Sequence, residues 1–366
     1  MAAPNPNPNF STIPLLDYAL ATDPAHRPAF LHHLRHALIN VGFLYLAHAP
    51  VDPAPLLAHI PRFFALPPEE KARIAMRRSP HFLGYTAFGA ERTRGAVDRR
   101  EQLDFATPHA SRWRAGDPEY YNLWGPSQWP GEGALPGFRE VAERYLAEVQ
   151  ALGYAFARLV SEALGLGPEG LDKFYDEPEL MQHRAKIVKY PVVEENASDD
   201  QGVGAHYDAG FLTFLLQASE HQGLQVQNLT GDWIDVPPIP DTFVINIGKA
   251  LEFVTQGVAR ATSHRVKYPR GTTPRYSVPF FQNIGLHSVL PDMQLQFPEE
   301  ILELAEVRGQ VSKTDSVNFT EFDREPSGQV NLIGRVKSHP DVGQIHYPAL
   351  FAKYFPDGLP AEAEAY

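Results

Sequence analysis

Apolar positions change their period along this chain, and the changes mark out its organisation. After a polar Pro/Asn stretch over residues 1–10, Ile13-Pro14-Leu15-Leu16-Asp17 reads as a short strand. From Pro28 to Val41 the apolar residues Phe30, Leu31, Leu34, Ala37, Leu38 and Val41 recur at helical spacing and stop at Gly42, which predicts an amphipathic helix ended by glycine. Phe43-Leu44-Tyr45-Leu46 follows as a buried strand, and residues 53–66 as a second helix. The charged run 68–78 predicts a solvated helix face. Residues 108–137, rich in Trp, Pro and Gly, predict an irregular bridge, and a long amphipathic helix then runs from Phe138 to Leu164.

Between Gln182 and Asn283 the texture becomes β-rich. Short runs at 185–193, 211–217, 224–228, 233–236, 242–247, 261–268 and 276–281 are separated by Gly, Pro and Asp turns, as at Thr230-Gly231-Asp232. Strands at this spacing indicate an all-β sandwich or barrel. From 291 the pattern returns to helix and loop, with a polar, mobile stretch expected over 308–330, and no internal repeat is visible. The organisation expected is a disordered tail (1–10), an α/β region (11–130), a helix with a β core (131–290) and a helical extension (291–366), all in one integrated domain.

Composition narrows the function classes. The 366 residues are 43% hydrophobic, enough for a large core. Forty-four acidic against 32 basic side chains give a net charge of −12, and no long basic run argues for nucleic acid or an anionic membrane as partner. There is no cysteine, hence no disulfide, thiolate metal site or cysteine nucleophile. Without an apolar leader or a bilayer-length apolar run, the expectation is a cytoplasmic protein, taken to be a monomer. Gly165-Leu166-Gly167-Pro168-Glu169-Gly170 matches a dinucleotide fingerprint but follows a helix and carries Pro168, so it reads as a helix stop.

The chemistry is concentrated in His206-Tyr207-Asp208, His264 and Arg275-Tyr276-Ser277. On a strand, residues two apart share a face, so His206 and Asp208 aim together, and His264 lies in a β-type run able to close over them. Two imidazoles and one carboxylate can hold one face of a ferrous ion and leave positions open. The triplet alone also fits a surface His-x-Asp and an unrelated core histidine. Arg275 and Ser277 share a strand face, and their guanidinium and hydroxyl suit a bound carboxylate. Tyr190, on one face with Val188, Lys186 and Arg184, is a further donor.

These residues, with Phe211–Gln217, Gly223-Leu224-Gln225-Val226, Asn246-Ile247-Gly248, Ser277-Val278-Pro279-Phe280-Phe281 and, earlier, Gly42-Phe43, Gly84-Tyr85 and Glu101, make the chain resemble the isopenicillin N synthase-like iron(II)/2-oxoglutarate-dependent oxygenases. The resemblance implies a mainly β fold with flanking α elements, a distorted double-stranded β-helix or jelly roll. It implies iron ligation by His206, Asp208 and His264, and 2-oxoglutarate held by Arg275, Ser277 and Tyr190. With dioxygen, such a site oxidises an unactivated C–H bond of a small molecule by hydroxylation, desaturation or ring closure. An iron oxidase without 2-oxoglutarate and a non-catalytic jelly-roll binder are the alternatives. Phe82 stands where penicillin-forming members carry an arginine, which argues against that substrate. Val188 and Lys249 are further departures. Family position makes Phe211 and Phe281 candidate substrate contacts, alongside Phe82. Arg184 and Lys186 either hold an acidic substrate or are solvated at a strand end.

Overall fold

The computed structural model describes residues 9–93, 96–192, 201–269, 272–309 and 324–359. The expectations for residues 1–8 and for most of 308–330 therefore lie outside the described residues. Among the described residues are fourteen strands: β1 (Leu15–Asp17), β2 (Phe43–Ala47), β3 (Gly84–Thr86), β4 (Arg92–Thr93), β5 (Ala96–Val97), β6 (Glu101–Ala106), β7 (Arg184–Tyr190), β8 (Gln201–His206), β9 (Leu212–Gln217), β10 (Leu224–Gln227), β11 (Trp233–Asp235), β12 (Thr242–Ile247), β13 (His264–Lys267) and β14 (Arg275–Gln282). A major sheet takes the order β1-β2-β12-β9-β14-β7-β6-β3, and a minor sheet the order β11-β10-β13-β8. Apart from the parallel β1–β2 pair, neighbours in both sheets run antiparallel.

Strand alternation builds two cores from one major sheet. Along β12, Phe243, Ile245 and Ile247 join the main core, whereas Val244 belongs to the cluster shared with the minor sheet. The main core includes Leu103, Phe105, Ala185, Ile187, Phe214, Val278 and Phe280 from the sheet, with Leu146, Val149, Leu152 and Phe156 from the helix Phe138–Ala163. The second cluster unites Phe43, Tyr45, Val188, Tyr190 and Val244 with Val203, Leu224, Val226 and Val266 of the minor sheet. Both faces of the central strands are thus covered. That is why they read as near-continuous apolar runs rather than alternating ones.

The registers define what shares the inner face. Arg275 lies opposite Tyr190, Ser277 opposite Val188 and Phe281 opposite Arg184 on β14–β7, while Val188 and Lys186 face Gln102 and Asp104 on β6. On the other flank Ser277 meets Gln217, and Thr213 meets Asn246. Arg275, Ser277, Tyr190, Lys186, Gln102, Asp104, Thr213 and Asn246 therefore belong to one sheet face.

The N-terminal elements follow the expected plan with shifted ends. The first periodic stretch is a helix at Arg27–His36 that widens into a π-helical turn, Ala37–Val41. Gly42 follows at φ 76°, and a Cβ there would come 2.3 Å from the Arg260 carbonyl oxygen, so glycine is required on both counts. Strands β3, β6 and β8 are absent from the sequence reading: β3 is only three residues long and β8 is glycine-rich, while the alternating Gln102-Leu103-Asp104-Phe105 of β6 follows the charged run Asp98-Arg99-Arg100-Glu101. Past β14, the helices Ser327–Ser338, Pro340–His346 and Pro348–Tyr354 pack a third cluster around Phe82, Trp124, Val336 and Tyr347.

Candidate metal and cosubstrate site

Strand β8 ends at His206, so Asp208 lies in the turn beyond it rather than on the same strand. The turn is strapped by the start of the next helix: Lys249 N–H donates to Asp208 O at 2.8 Å, Ala250 N–H to Ala209 O at 3.1 Å and Gly248 N–H to Phe211 O at 2.8 Å. A Cβ at Gly248 would come 2.0 Å from Gly210 O, so this approach needs glycine. His264 opens β13 directly opposite His206. The two imidazole centroids are 4.2 Å apart, and the Phe43 ring meets His264 edge-on at 5.3 Å.

The three side chains converge, with one ligand atom from each lying within 4.8 Å of the others. Nε2 of His206 is 3.7 Å from Asp208 Oδ1, and Nε2 of His264 is 3.9 Å from Oδ2. His206 Nδ1 is 2.8 Å from the Gly204 carbonyl and His264 Nδ1 3.3 Å from that of Thr262. A carbonyl can only accept, so each Nδ1 carries the proton and each Nε2 presents a lone pair to the common centre. Burial, reinforced by His206, lowers His264 to about 4, and burial likewise lowers His206. Both imidazoles are therefore neutral near pH 7, as metal ligation needs. Burial pushes Asp208 up, but His264, His206 and two hydrogen bonds outweigh it, and its pKa is lowered.

Those two hydrogen bonds went unassigned in the sequence. Thr213 Oγ1 donates to Asp208 Oδ2 at 2.6 Å and Asn246 Nδ2 donates to the same oxygen at 2.8 Å. Both residues stand in the motifs that carry the family resemblance. Only the β9–β12 register, which no local pattern reveals, places them side by side.

Beside the triad, Arg275 is 1% exposed. Nη2 donates to Gln217 Oε1 at 3.3 Å, while Nε and Nη1 are buried with no acceptor among the described residues. The Tyr190 ring lies 5.0 Å from the guanidinium, and Ser277 is buried on the same face. Burial lowers the pKa of Arg275, with Tyr190 opposing it. A buried guanidinium without a carboxylate is costly, and two unpaired N–H groups on a fixed fork fit a dianionic 2-oxoacid presenting its distal carboxylate. The donor set thus suits both a divalent iron and 2-oxoglutarate.

The remaining sequence candidates divide. Phe281 is half-buried on the inner face. Phe211 is not a cavity wall: β9 begins only at Leu212, so alternation does not extend back to Phe211, whose ring packs on Phe174 and Tyr175 in the main core. Phe82 is fully buried and stacks on Tyr347 at 5.4 Å, which removes it from the substrate contacts. Arg184 is neither solvated nor free for an acidic substrate, since it donates to Phe82 O at 2.8 Å and His81 O at 2.7 Å. Lys186 is buried and paired with Glu91 at 3.1 Å. A cleft of about 720 Å³ lined by Tyr18, Arg158, Tyr175 and Asp176 shares no residue with the triad; the convergent donors mark the site better than cleft size does.

The fold and site define a double-stranded β-helix whose two imidazoles and one carboxylate would suit a single non-haem iron. Comparison with known proteins agrees. Residues 13–132 match the family model "non-haem dioxygenase in morphine synthesis N-terminal", and residues 180–284 match the 2OG-Fe(II) oxygenase superfamily. The chain is 44% identical to the 2-oxoglutarate-dependent dioxygenase frbJ of Dothideomycetidae sp. (strain 11243), over 94% of this chain and 95% of that one. It is 34% identical to a homoarginine-6-hydroxylase of Glycine max, over 70% and 81%. The crystal structure of a full-length Neurospora crassa protein in complex with alpha-KG superposes with a TM-score of 0.69 at 25% identity, covering 92% of this chain and 98% of that one. The chain belongs to the 2OG-Fe(II) oxygenase superfamily. It is an iron(II)- and 2-oxoglutarate-dependent dioxygenase that uses dioxygen and acts on a small molecule.

Proposed function

We propose that His206, Asp208 and His264 hold the iron, that Arg275, Ser277 and Tyr190 hold the distal carboxylate of 2-oxoglutarate, and that the product is a hydroxylated small molecule of specialised metabolism. The observation that carries this reading is the buried Arg275, with two nitrogens unpaired among the described residues, on the sheet face that also supplies the supports of the Asp208 carboxylate. Bound iron and 2-oxoglutarate would supply the oxidising power, one atom of dioxygen going to succinate as carbon dioxide is lost and the other to a substrate C–H bond. The protein's part is placement. Thr213 and Asn246 fix one oxygen of Asp208, which would leave the other for an ion. Phe43 packs edge-on against the buried His264 ring and shields it from water.

The regions 11–130, 131–290 and 291–366 act in this reading as one integrated catalytic unit. A cytoplasmic monomer free of membrane and nucleic-acid partners completes it; the net charge of −12 supports the last point. The test is iron-dependent formation of succinate from 2-oxoglutarate by the purified chain. Substrate oxidation without succinate would overturn the reading.

A further inference from the structure

Next to the cosubstrate clamp, the inner sheet face turns from apolar to ionic. Lys186, facing Asp104 across β7–β6, lies 3.6 Å from Asp104 Oδ1 and 3.1 Å from Glu91. Arg100 pairs with Glu91 at 2.8 Å and with Asp98 at 3.2 Å, and Arg335 of the helix Ser327–Ser338 reaches Asp104 Oδ1 at 3.5 Å. His339 Nε2 is 3.9 Å from Glu91. Three acids thus meet Lys186, Arg100, Arg335 and His339, with Arg184 occupied by backbone carbonyls.

The group borders the metal site. Asp98 Oδ1 accepts from Gly204 N–H at 3.4 Å, two residues before His206. Tyr190, opposite Arg275 in the register, acts electrostatically on Arg100 as well as on Arg275. Half-buried Pro279 and Phe281 on the adjoining strand leave the face partly open there.

A network serving structure alone closes its own hydrogen bonds. This one does not. Asp104 Oδ1 and Gln102 Oε1, on side chains 0% and 1% exposed, have no hydrogen-bond donor among the described residues, and Arg100 Nε and His339 Nε2 are likewise buried and unsatisfied. Several of its ion pairs are too long for hydrogen bonds, at 3.5–3.9 Å. Spare acceptors and spare donors therefore stand together in a wall of mixed charge. An apolar substrate would seal them off unpaired, and a simple ion would satisfy only the donors or only the acceptors.

We propose that this wall, completed by Arg335 and His339 from the C-terminal extension, binds a zwitterionic amino-acid-type substrate, its ammonium on Asp104 and Gln102 and its carboxylate toward Arg100, Lys186 and Arg335. The inference rests on the functional reading above and names the substrate class for that site. The protein loaded anaerobically with iron(II) and 2-oxoglutarate is titrated with L-homoarginine, L-ornithine and L-glutamine, with indole-3-acetate, an anion without an ammonium, as the control. Heat and the visible iron-to-2-oxoglutarate band are read.

At least one amino acid binds at about millimolar concentration or tighter and shifts the band, and indole-3-acetate does neither. Its methyl ester, and separately Asp104→Asn or the charge-neutral Gln102→Leu, weaken that binding by about tenfold or more, with 2-oxoglutarate affinity unchanged. Silence from all three amino acids, or equal binding by both variants, overturns the proposal. Should the band itself never form, the functional reading fails instead.

Discussion

Replacing Arg275 by alanine removes the two buried N–H donors, Nε and Nη1, that have no acceptor among the described residues. Hydrogen bonds to a charged group contribute about 1.5–3 kcal/mol each, so losing two weakens 2-oxoglutarate binding by about 3–6 kcal/mol, or roughly 10²- to 10⁴-fold in Kd. Arg275→Lys restores only part, because an ammonium offers a point charge where the fork offers two parallel donors. The same change acts in the opposite direction on the cosubstrate-free protein. There Arg275 is a buried cation lacking a carboxylate partner among the described residues, so Arg275→Met, which keeps much of the volume, leaves the metal-free protein at least as resistant to urea as the parent. The assay is anaerobic titration of the iron-loaded protein with 2-oxoglutarate, followed by its visible band, paired with urea unfolding of the metal-free form. An unchanged Kd in Arg275→Ala would refute the clamp. A large loss of urea resistance in Arg275→Met would show that the guanidinium is already satisfied within the fold.

Further consequences are open to measurement. Thr213→Val frees one lone pair of Asp208 Oδ2 while keeping the side chain's shape, and lowers iron(II) affinity about 10–100-fold; an unaltered iron titration would show that the hydroxyl does not orient the carboxylate. Arg184→Met leaves the carbonyls of His81 and Phe82 without their donor, which costs about 2–6 kcal/mol of folding stability without changing 2-oxoglutarate affinity. Selective loss of 2-oxoglutarate binding with intact stability would return Arg184 to the binding site. Burial lowers His183 to about 3 and His264 to about 4, both below the ordinary 6.5. Between those values the unfolded chain binds protons that the folded chain refuses, so the metal-free protein keeps this contribution above about pH 6.5 and loses it as pH falls toward 4. Urea midpoints that do not change from pH 7.5 to pH 5 would contradict the buried, neutral state of these rings.

The sequence disclosed the three converging side chains more readily than the scaffold that aims them. His206, Asp208 and His264 were legible because few side chains suit iron, and Arg275 and Ser277 because a strand puts alternate residues on one face. The reason Asp208 aims at His206 was not legible. It depends on a turn strapped by the backbone of residues 248–250, a contact between segments some forty residues apart. Strand β6 went unread although Gln102-Leu103-Asp104-Phe105 alternates; its polar side, which a half-buried strand would turn to solvent, is here buried on the inner face. Phe211 and Phe82 failed as substrate candidates because aromatic side chains near a site fill cores as readily as they line cavities. Lys186 and Arg184 look alike in sequence, yet one joins an ionic network on the inner face and the other ties down a loop.

The central claim is that one ferrous ion is held by His206, Asp208 and His264. Anaerobic equilibrium titration of the metal-free chain with iron(II), repeated on His264→Ala, tests it most directly. The account predicts one tight equivalent per parent chain and loss of that binding in the variant, with the fold retained by circular dichroism. An undiminished equivalent in His264→Ala would contradict it.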